Sequence, residues 1–358
     1  MDLDARLTVL GSLNMDISVT VPSLPGPGAT VLGGPAAFAP GGKGANQAVA
    51  AARLGAESNI AVRMVGCVGD DDFGRALRAA LAAEGIDDAA VRTAPGAPTG
   101  IAMITVDEAG ENIITVSPGA NHEVGAQEIA VIGRTAEPAA AGSLNALVIS
   151  AEVPVAAITA ALAAATANAR GARWLTVVNL APAPPRDEAA GILNAHPDWL
   201  VVNESEAAAV LARPVSGLAE AASAAADLVA AGARNAVVTA GAAGAAYHGT
   251  AYRSTGYQST GCRSTGYQNT GGNGEDQALS GTVAAFPVRA VDTVGAGDTF
   301  VGALAVALVA GIPPVEAVTA AAAAGAAAAA RPGTQAGMPW PADIRAATGY
   351  EWPLAVIN

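Results

Sequence analysis

The chain has 358 residues, of which 52% are apolar and only 4% aromatic, and it carries a net charge of −13. That length suits one large α/β unit, with a core built mainly from Ala, Val, Leu and Ile. The acidic balance argues against a nucleic-acid footprint or an anionic membrane surface, so any phosphate handling has to rely on local devices such as glycine turns and a few lysines.

The two cysteines, Cys67 in an apolar run and Cys262 in a polar repeat, give neither a disulfide framework nor metal-ligand spacing. The opening MDLDARLTVLGS has no basic segment followed by a long apolar one. The most hydrophobic tract, 304–330, is alanine-rich and broken by Gly311, Pro313, Pro314 and Glu316. The expectation is therefore a cytoplasmic protein.

In chain order, RLTVLGSLNMDISVTV reads as strand, with a polar turn at Gly11–Asn14, and PSLPGPGATV as a loop. GGKGANQAVAAARLGA opens with glycines and turns helical, with Gly55 as the stop. NIAVRMVGCVG is a buried strand and DDFGRALRAALAAEGI a helix. TGIAMITVDEAGENIITVSPGAN alternates as a hairpin with Glu108–Glu111 at its tip. From about residue 145, ALVIS, WLTVVNL, WLVVN and NAVVTAG alternate with alanine-rich helical segments. That rhythm implies βαβ crossovers and a mainly parallel sheet covered on both faces, with ligands at the carboxyl ends of the strands.

One segment breaks the rhythm. Residues 252–271 read YRSTG, YQSTG, CRSTG, YQNTG. Such polar repeats bury too little surface to offset their ordering entropy, so 252–281 is expected to be a surface insertion. Its place in the chain is between Thr239–Gly244 and Asp292.

The glycine-rich turns carry the chemistry. AVDTVGAGDTF, 290–300, reads as a strand end at Val288–Val291, a tight turn, and a helix from near Thr299. The small residues Gly295, Ala296 and Gly297 leave backbone N–H groups bare to hold an anion, and Asp298 beside them is placed to act as a base. In GSLNMD and GGKGANQ, Asp16 suits a vicinal diol, Lys43 and Asn46 supply donors, and Gly42 lets the backbone approach a small ligand, with Asn14 alongside. Taken singly, each of these is also an ordinary strand-end turn or helix start. Glu152, Asn179, and Asn203 with Glu206 each follow a strand. NESEAAAVL reads equally as a capped helix start, with Glu206 a first-turn acid, or as a site with Glu206 near a metal-bound phosphate. Thr239, Gly241 and Gly244 follow the last of these strands.

GGKGANQAVAAARLG together with VDTVGAGDTFVGAL resembles the paired signatures of the PfkB carbohydrate-kinase family. LGSLNMD, TGIAMITV, GENIITVSPGAN, VVNLAPAP and VNESEA resemble the family pattern in the same order, over nearly the whole chain apart from the repeats and the C-terminal GYEWPLAVIN. The resemblance implies a ribokinase-like three-layer α/β/α sandwich across 1–350, with a mainly parallel central sheet and a small β-sheet lid from about 12–40 and 98–118. It implies ATP-dependent phosphorylation of D-ribose at O5, with another sugar such as 2-deoxyribose or fructose, or a nucleoside, as the alternative. A catalytically silent sugar-binding protein is disfavoured because Asp298 and its three small neighbours are intact. Phe38 is the single aromatic near the sugar motifs, which favours a bare pentose over a nucleoside.

By position, the resemblance makes Asp298 the general base and the amides of Gly295, Ala296 and Gly297 the anion hole. Asn14, Asp16, Gly42, Lys43, Asn46 and Glu152 would hold the sugar, and Asn203, Thr239, Gly241, Gly244 and Gly297 would line the ATP site. Glu206 would help to place Mg2+. Asp292, with the carbonyls of Val294, Ala328, Arg331 and Gly333, would hold an activating K+. Pro332 and Gly337 depart from the family pattern in that loop, as Ala29 does in PGAT. Lids paired edge to edge would make a homodimer.

Overall fold

The computed structural model describes residues 5–134, 145–166, 174–250 and 278–354. Its strands are β1 (Ala5–Leu10), β2 (Asn14–Val21), β3 (Ala37–Gly41), β4 (Ile60–Gly69), β5 (Asp87–Ala94), β6 (Gly100–Asp107) and β7 (Asn112–Ser117). They continue as β8 (Asn145–Ser150), β9 (Trp174–Asn179), β10 (Trp199–Asn203), β11 (Asn235–Thr239), β12 (Gly244–Thr250) and β13 (Ala278–Ala284). The helices are α1 (Lys43–Gly55), α2 (Asp72–Ala83), α3 (Ala126–Arg134), α4 (Val155–Thr166), α5 (Arg186–Leu193) and α6 (Glu204–Leu211). They end with α7 (Gly217–Ala230), α8 (Ala296–Val309), α9 (Pro314–Ala329), α10 (Thr334–Gly337) and α11 (Pro341–Thr348).

Nine strands form the main sheet in the order β13-β12-β11-β10-β9-β8-β1-β4-β5. It is parallel from β11 to β5, and the two antiparallel strands β12 and β13 close one edge. Each central strand is buried on both faces, which is why its sequence is a continuous apolar run. In β8, Ala146 and Val148 belong to one core, and Leu147 and Ile149 to the other. The first core packs under α1, α2, α8, α9 and α11; the second under α3 to α7. This is the three-layer sandwich expected from the motifs.

The helices over the first core approach closely because their contact faces are nearly bare. A Cβ on Gly302 of α8 would meet the Ala50 Cβ and the Gln47 carbonyl of α1, each at 2.8 Å. One on Gly325 of α9 would lie 3.1 Å from the Ala296 carbonyl.

Four strands form a second sheet, β3-β2-β6-β7, within the expected lid segments. β7 is exposed along its whole length, and Ile113, Ile114 and Val116 are about half exposed. The hairpin of β6 and β7 turns at 108–111, as its alternation predicts.

Three readings need correction. Residues 285–290 form no strand; instead Val291 and Asp292 donate N–H groups to the Ala329 carbonyl at the end of α9. Helix α8 begins at Ala296 rather than near Thr299, because Gly295 adopts φ 80° and turns the chain directly into it. Helix α1 ends at Gly55, as expected; Gly55 is right-handed there (φ −92°), and the left-handed reversal falls at Asn59, φ 54°. The insertion expected at 252–281 is shorter, since Ala278–Gly281 already pair with β12. The pentapeptides themselves lie outside the described residues.

The hairpin of β12 and β13 also fixes where that insertion departs. β12 runs antiparallel to β11, with Thr239 beside Ala245 and Asn235 beside Gly249. Thr250 and Ala278 therefore face each other at the rim opposite the carboxyl ends of the parallel strands. Six residue steps at ~3.3 Å put that exit about 20 Å from Gly244, so the insertion does not spring from the carboxyl end of the parallel strands. Beyond α11 the tail packs down: Trp352 is buried and its Nε1 donates to the Leu54 carbonyl at 3.0 Å. Among the described residues, no helix is long and apolar enough to cross a membrane.

Candidate active site

The strand order reverses at β1. From it the chain proceeds to β4 and β5 on one side, and later to β8 through β11 on the other. A crevice opens at such a switch point, outside the carboxyl ends of the strands. The loop after β1 and the loop after β8 meet there: Ser12 Oγ donates to Glu152 Oε2 at 2.5 Å, and the Lys43 backbone N–H donates to the same oxygen at 3.2 Å. Glu152 is thus half-buried at the base of the crevice rather than solvated.

The lid joins at this point. Asn14 pairs in register with Gly41 on β3 and Gly100 on β6, which brings three motifs together. Asn14 is buried, and its Oδ1 accepts from Asn121 Nδ2 at 2.8 Å; Asn121 also accepts from Leu13 N at 2.9 Å. Two glycines make the close approach possible. A Cβ on Gly41 would sit 2.1 Å from the Asp16 carboxylate, and Gly42 holds φ 89° with Asn14 N only 2.7 Å from where its Cβ would be.

Successive strand residues face opposite sides. Asp16 pairs with Ala39 and Ala102, while Phe38 pairs with the neighbouring Ile17. The lid face carrying Asp16 therefore presents small side chains beside the carboxylate. Phe38 lies on the other face, where its ring meets that of Phe73 at 6.2 Å.

Asp298 is buried in the first turn of α8, and both its oxygens are held from α1. Asn46 Nδ2 donates to Oδ2 at 2.9 Å and Gln47 Nε2 to Oδ1 at 3.1 Å. Asn46 Oδ1 in turn accepts from Gln335 Nε2 at 3.1 Å. The first turn of a helix leaves its N–H groups without intrahelical carbonyls, so Gly295, Ala296 and Gly297 present donors at this end. In this state the Ala296 N–H makes a long turn bond, 3.3 Å, to the Thr293 carbonyl.

Four carboxylates act on one ammonium here. Lys43 is held above its ordinary pKa, first by Asp298, then by Glu152, Glu206 and Asp16, against the opposing effect of its own burial. Asp16 is pushed up to about 7 by burial and by the charges of Glu152 and Asp298, with Lys43 pulling the other way.

On the far side of the crevice the sheet places Asn203 directly beside Thr239, at the ends of β10 and β11. Gly241 is exposed just beyond, and Gly244 (φ 115°) packs its bare Cα against the Val283 carbonyl. Glu206 answers the question its motif raised. Asn203 caps α6 by accepting from Glu206 N, and the Glu206 carboxylate returns to Asn203 N, each at 2.8 Å. The acid is a reciprocal cap. Burial nonetheless holds its pKa above the ordinary value, and Lys43 senses its charge.

Asp292 lies outside the crevice proper. Its two oxygens accept the N–H groups of Val294 and Gly333, each at 3.0 Å, which ties the turn before α8 to the loop after α9. Ala328 and Gly333 carbonyls already accept from Arg331 N and Gly337 N. The donors gathered there are one carboxylate and backbone carbonyls, all hard oxygens, which fits a monovalent cation better than a transition metal. Among the described residues no group of three or more His, Cys, Asp or Glu could hold a metal ion.

Ser12, Asn121, Gln335 and the contact of Gln47 with Asp298 were not among the expected site residues. Ser12, Gln47 and Asn121 lie inside the glycine-containing motifs, but nothing local marks their partners.

The family described as "pfkB family carbohydrate kinase" matches residues 4–341. A ribokinase of Schizosaccharomyces pombe is 35% identical over 313 residues, covering 86% of this chain and 86% of that protein. A ribokinase of Haemophilus influenzae is 33% identical over 334 residues, 93% of this chain and 95% of that one. The crystal structure of a ribokinase from Thermotoga maritima superposes with a TM-score of 0.72 at 28% identity, covering 95% of this chain and 98% of that one.

Proposed function

The chain belongs to the pfkB family of carbohydrate kinases, and from that premise we propose that it transfers the γ-phosphoryl group of ATP to O5 of D-ribose, releasing ADP and ribose 5-phosphate. The observation that carries this reading is the placement of Asp298: buried at the N-terminus of α8, fixed at both oxygens, and facing the crevice that Asp16 and Lys43 share.

Asp16 accepts two neighbouring sugar hydroxyls, and Asn14, the Gly42 backbone, Lys43, Asn46 and Glu152 complete the cradle. Asp298 takes the proton from the 5-hydroxyl as its oxygen attacks the γ-phosphorus in line with the departing β–γ bridging oxygen. Amides of Gly295, Ala296 and Gly297 face the charge on the phosphoryl oxygens, where preorganised donors contribute most. Asn203, Thr239, Gly241 and Gly244 line the nucleotide. A magnesium ion on the phosphates would add charge neutralisation, with Glu206 nearby. Asp292 and the carbonyls of Val294, Ala328, Arg331 and Gly333 would hold a potassium ion.

The small residues beside Asp16 support a bare pentose, since the lid places Phe38 on the opposite face, away from any base. The exposed Ile114 and Val116 share the face of Asp16 through the registers of β6 with β2 and β7, which supports a homodimer whose lids cover each other. A cytoplasmic location agrees with the supply of ATP.

The test is ADP release with ATP–Mg and ribose, 2-deoxyribose, fructose, adenosine or inosine, each with and without potassium. Ribose turnover that rises with potassium and is lost in Asp298→Asn supports the proposal. Turnover confined to a nucleoside overturns the substrate, and full activity in Asp298→Asn overturns the base.

A further inference from the structure

We infer that Gln47 is a positioning residue for the reaction: its side-chain amide ties Asp298 to the rigid end of β9 and so holds the base in its attacking orientation. The inference rests on Asp298 being the base.

The geometry is a chain of three side chains. Asn179, the last residue of β9, is locked by its Nδ2, which donates to the Val201 carbonyl of β10 at 3.1 Å. That leaves its Oδ1 to accept from Gln47 Nε2 at 3.0 Å, and the same nitrogen donates to Asp298 Oδ1 at 3.1 Å. One amide therefore links the centre of the sheet to the carboxylate. Its orientation is forced, because the flipped amide would set Oε1 against two acceptor oxygens.

The other hold on Asp298 is of a different kind. Asn46 also bonds Gln335 and lies in the proposed sugar cradle, so an arriving hydroxyl competes for it. Gln47 is fully buried, 0% exposed, and out of a sugar's reach. Its grip persists through binding and turnover.

A second observation separates this role from packing. Gln47 Oε1 is buried with no hydrogen-bond partner among the described residues. An unpaired buried carbonyl is a standing cost that Leu or Met at this place would avoid. The amide is retained for what its nitrogen does.

Gln47→Met keeps the volume and removes the donor. With ATP–Mg and ribose, kcat is expected to fall about 10–100-fold, the range that a misplacement of about 1 Å produces, while the sugar KM stays within about three-fold. A kcat within about two-fold of wild type overturns the inference, and so does a loss that falls on KM instead. Should Gln47→Met fail to fold, Asn179→Ala decides: it leaves Gln47 in place and removes the acceptor that aims it. Its kcat should fall about 3–10-fold at constant sugar KM, and an unchanged kcat refutes the chain. Asp298→Asn, run alongside, separates the two ideas. If it retains turnover, the base assignment fails and this inference with it; if it is inactive while Gln47→Met is fully active, this inference alone fails.

Discussion

Replacing Asp16 with Asn should abolish sugar binding and yet stabilise the empty protein. The Asp16 carboxyl is pushed from 3.8 up to about 7, chiefly by burial, then by Glu152 and Asp298. A folded pKa above the unfolded one means a contribution fully present below pH 3.8 and lost as pH rises through about 7. At pH 8 the folded chain therefore holds a charge that it disfavours. At about 1.36 kcal/mol per pH unit, the three-unit rise corresponds to roughly 4 kcal/mol, and a half-buried group beside Lys43 should realise about 2–4. Asn has the same shape without the charge. Differential scanning calorimetry of the ligand-free protein should show Asp16→Asn melting several degrees higher at pH 8, with the gain about halved at pH 5.5, where folded Asp16 is neutral but unfolded Asp16 is still ionised, and vanishing only below pH 3.8. Ribose titrations should show affinity down by at least about 100-fold, since two charge-assisted hydrogen bonds are lost. A gain equal at both pH values, or a lower melting temperature at pH 8, would refute the idea that the fold strains this carboxylate to keep it ready for a diol.

Gly302→Ala sets a methyl 2.8 Å from Ala50 and from the Gln47 carbonyl, so α8 must move away from α1 and carry Asp298 with it. Overpacking of about 1–3 kcal/mol outweighs the helix-propensity gain of up to about 1, so steady-state kinetics should show kcat falling more than ribose affinity, with a modest drop in melting temperature. Ile114→Lys places a charge on the exposed face through which the proposed homodimer pairs, and light scattering should find the mass halved relative to wild type. Deletion of 252–271 should leave kcat and the KM for ATP within a few-fold, because the described strands flanking it depart at the rim away from Gly244. A collapse in ATP affinity would contradict that placement.

Much of this was legible in the residues. Parallel strands buried on both faces announce themselves as apolar runs, and glycines that admit a close neighbour, such as Gly41 beside the Asp16 carboxylate and Gly42 beside the Asn14 backbone, stand out in their motifs. The start of α8 was misread because its first turn is made of the same small residues as the turn before it. Val288–Val291 has strand-like composition, but Val291 N instead donates to the Ala329 carbonyl at the end of α9, a contact between segments about forty residues apart. The direction in which the insertion leaves depended on β12 running against β11, and nothing in the seven residues of β12 encodes strand direction. Glu206 was ambiguous because an N-cap acid and a site acid share one local sequence; only the returning bond to Asn203 N distinguishes the cap. Gln47 was hidden by its partners, Asn179 and Asp298, which lie more than a hundred positions away in the chain.

The alanine helices have a thermal consequence. Helix α9 reads PVEAVTAAAAAGAAAA, and α8 meets both it and α1 through Ala and Gly. A buried alanine hides one methyl group and surrenders no side-chain rotamers. Unfolding such a layer exposes less hydrocarbon per residue than unfolding a core of leucines. The heat-capacity increment should accordingly fall below the usual ~12–15 cal/mol/K per residue. With a smaller increment the free energy of unfolding traces a shallower dome against temperature. Warming and cooling then erode the fold slowly on either side of its maximum, so this chain's tolerance of temperature is broad rather than high.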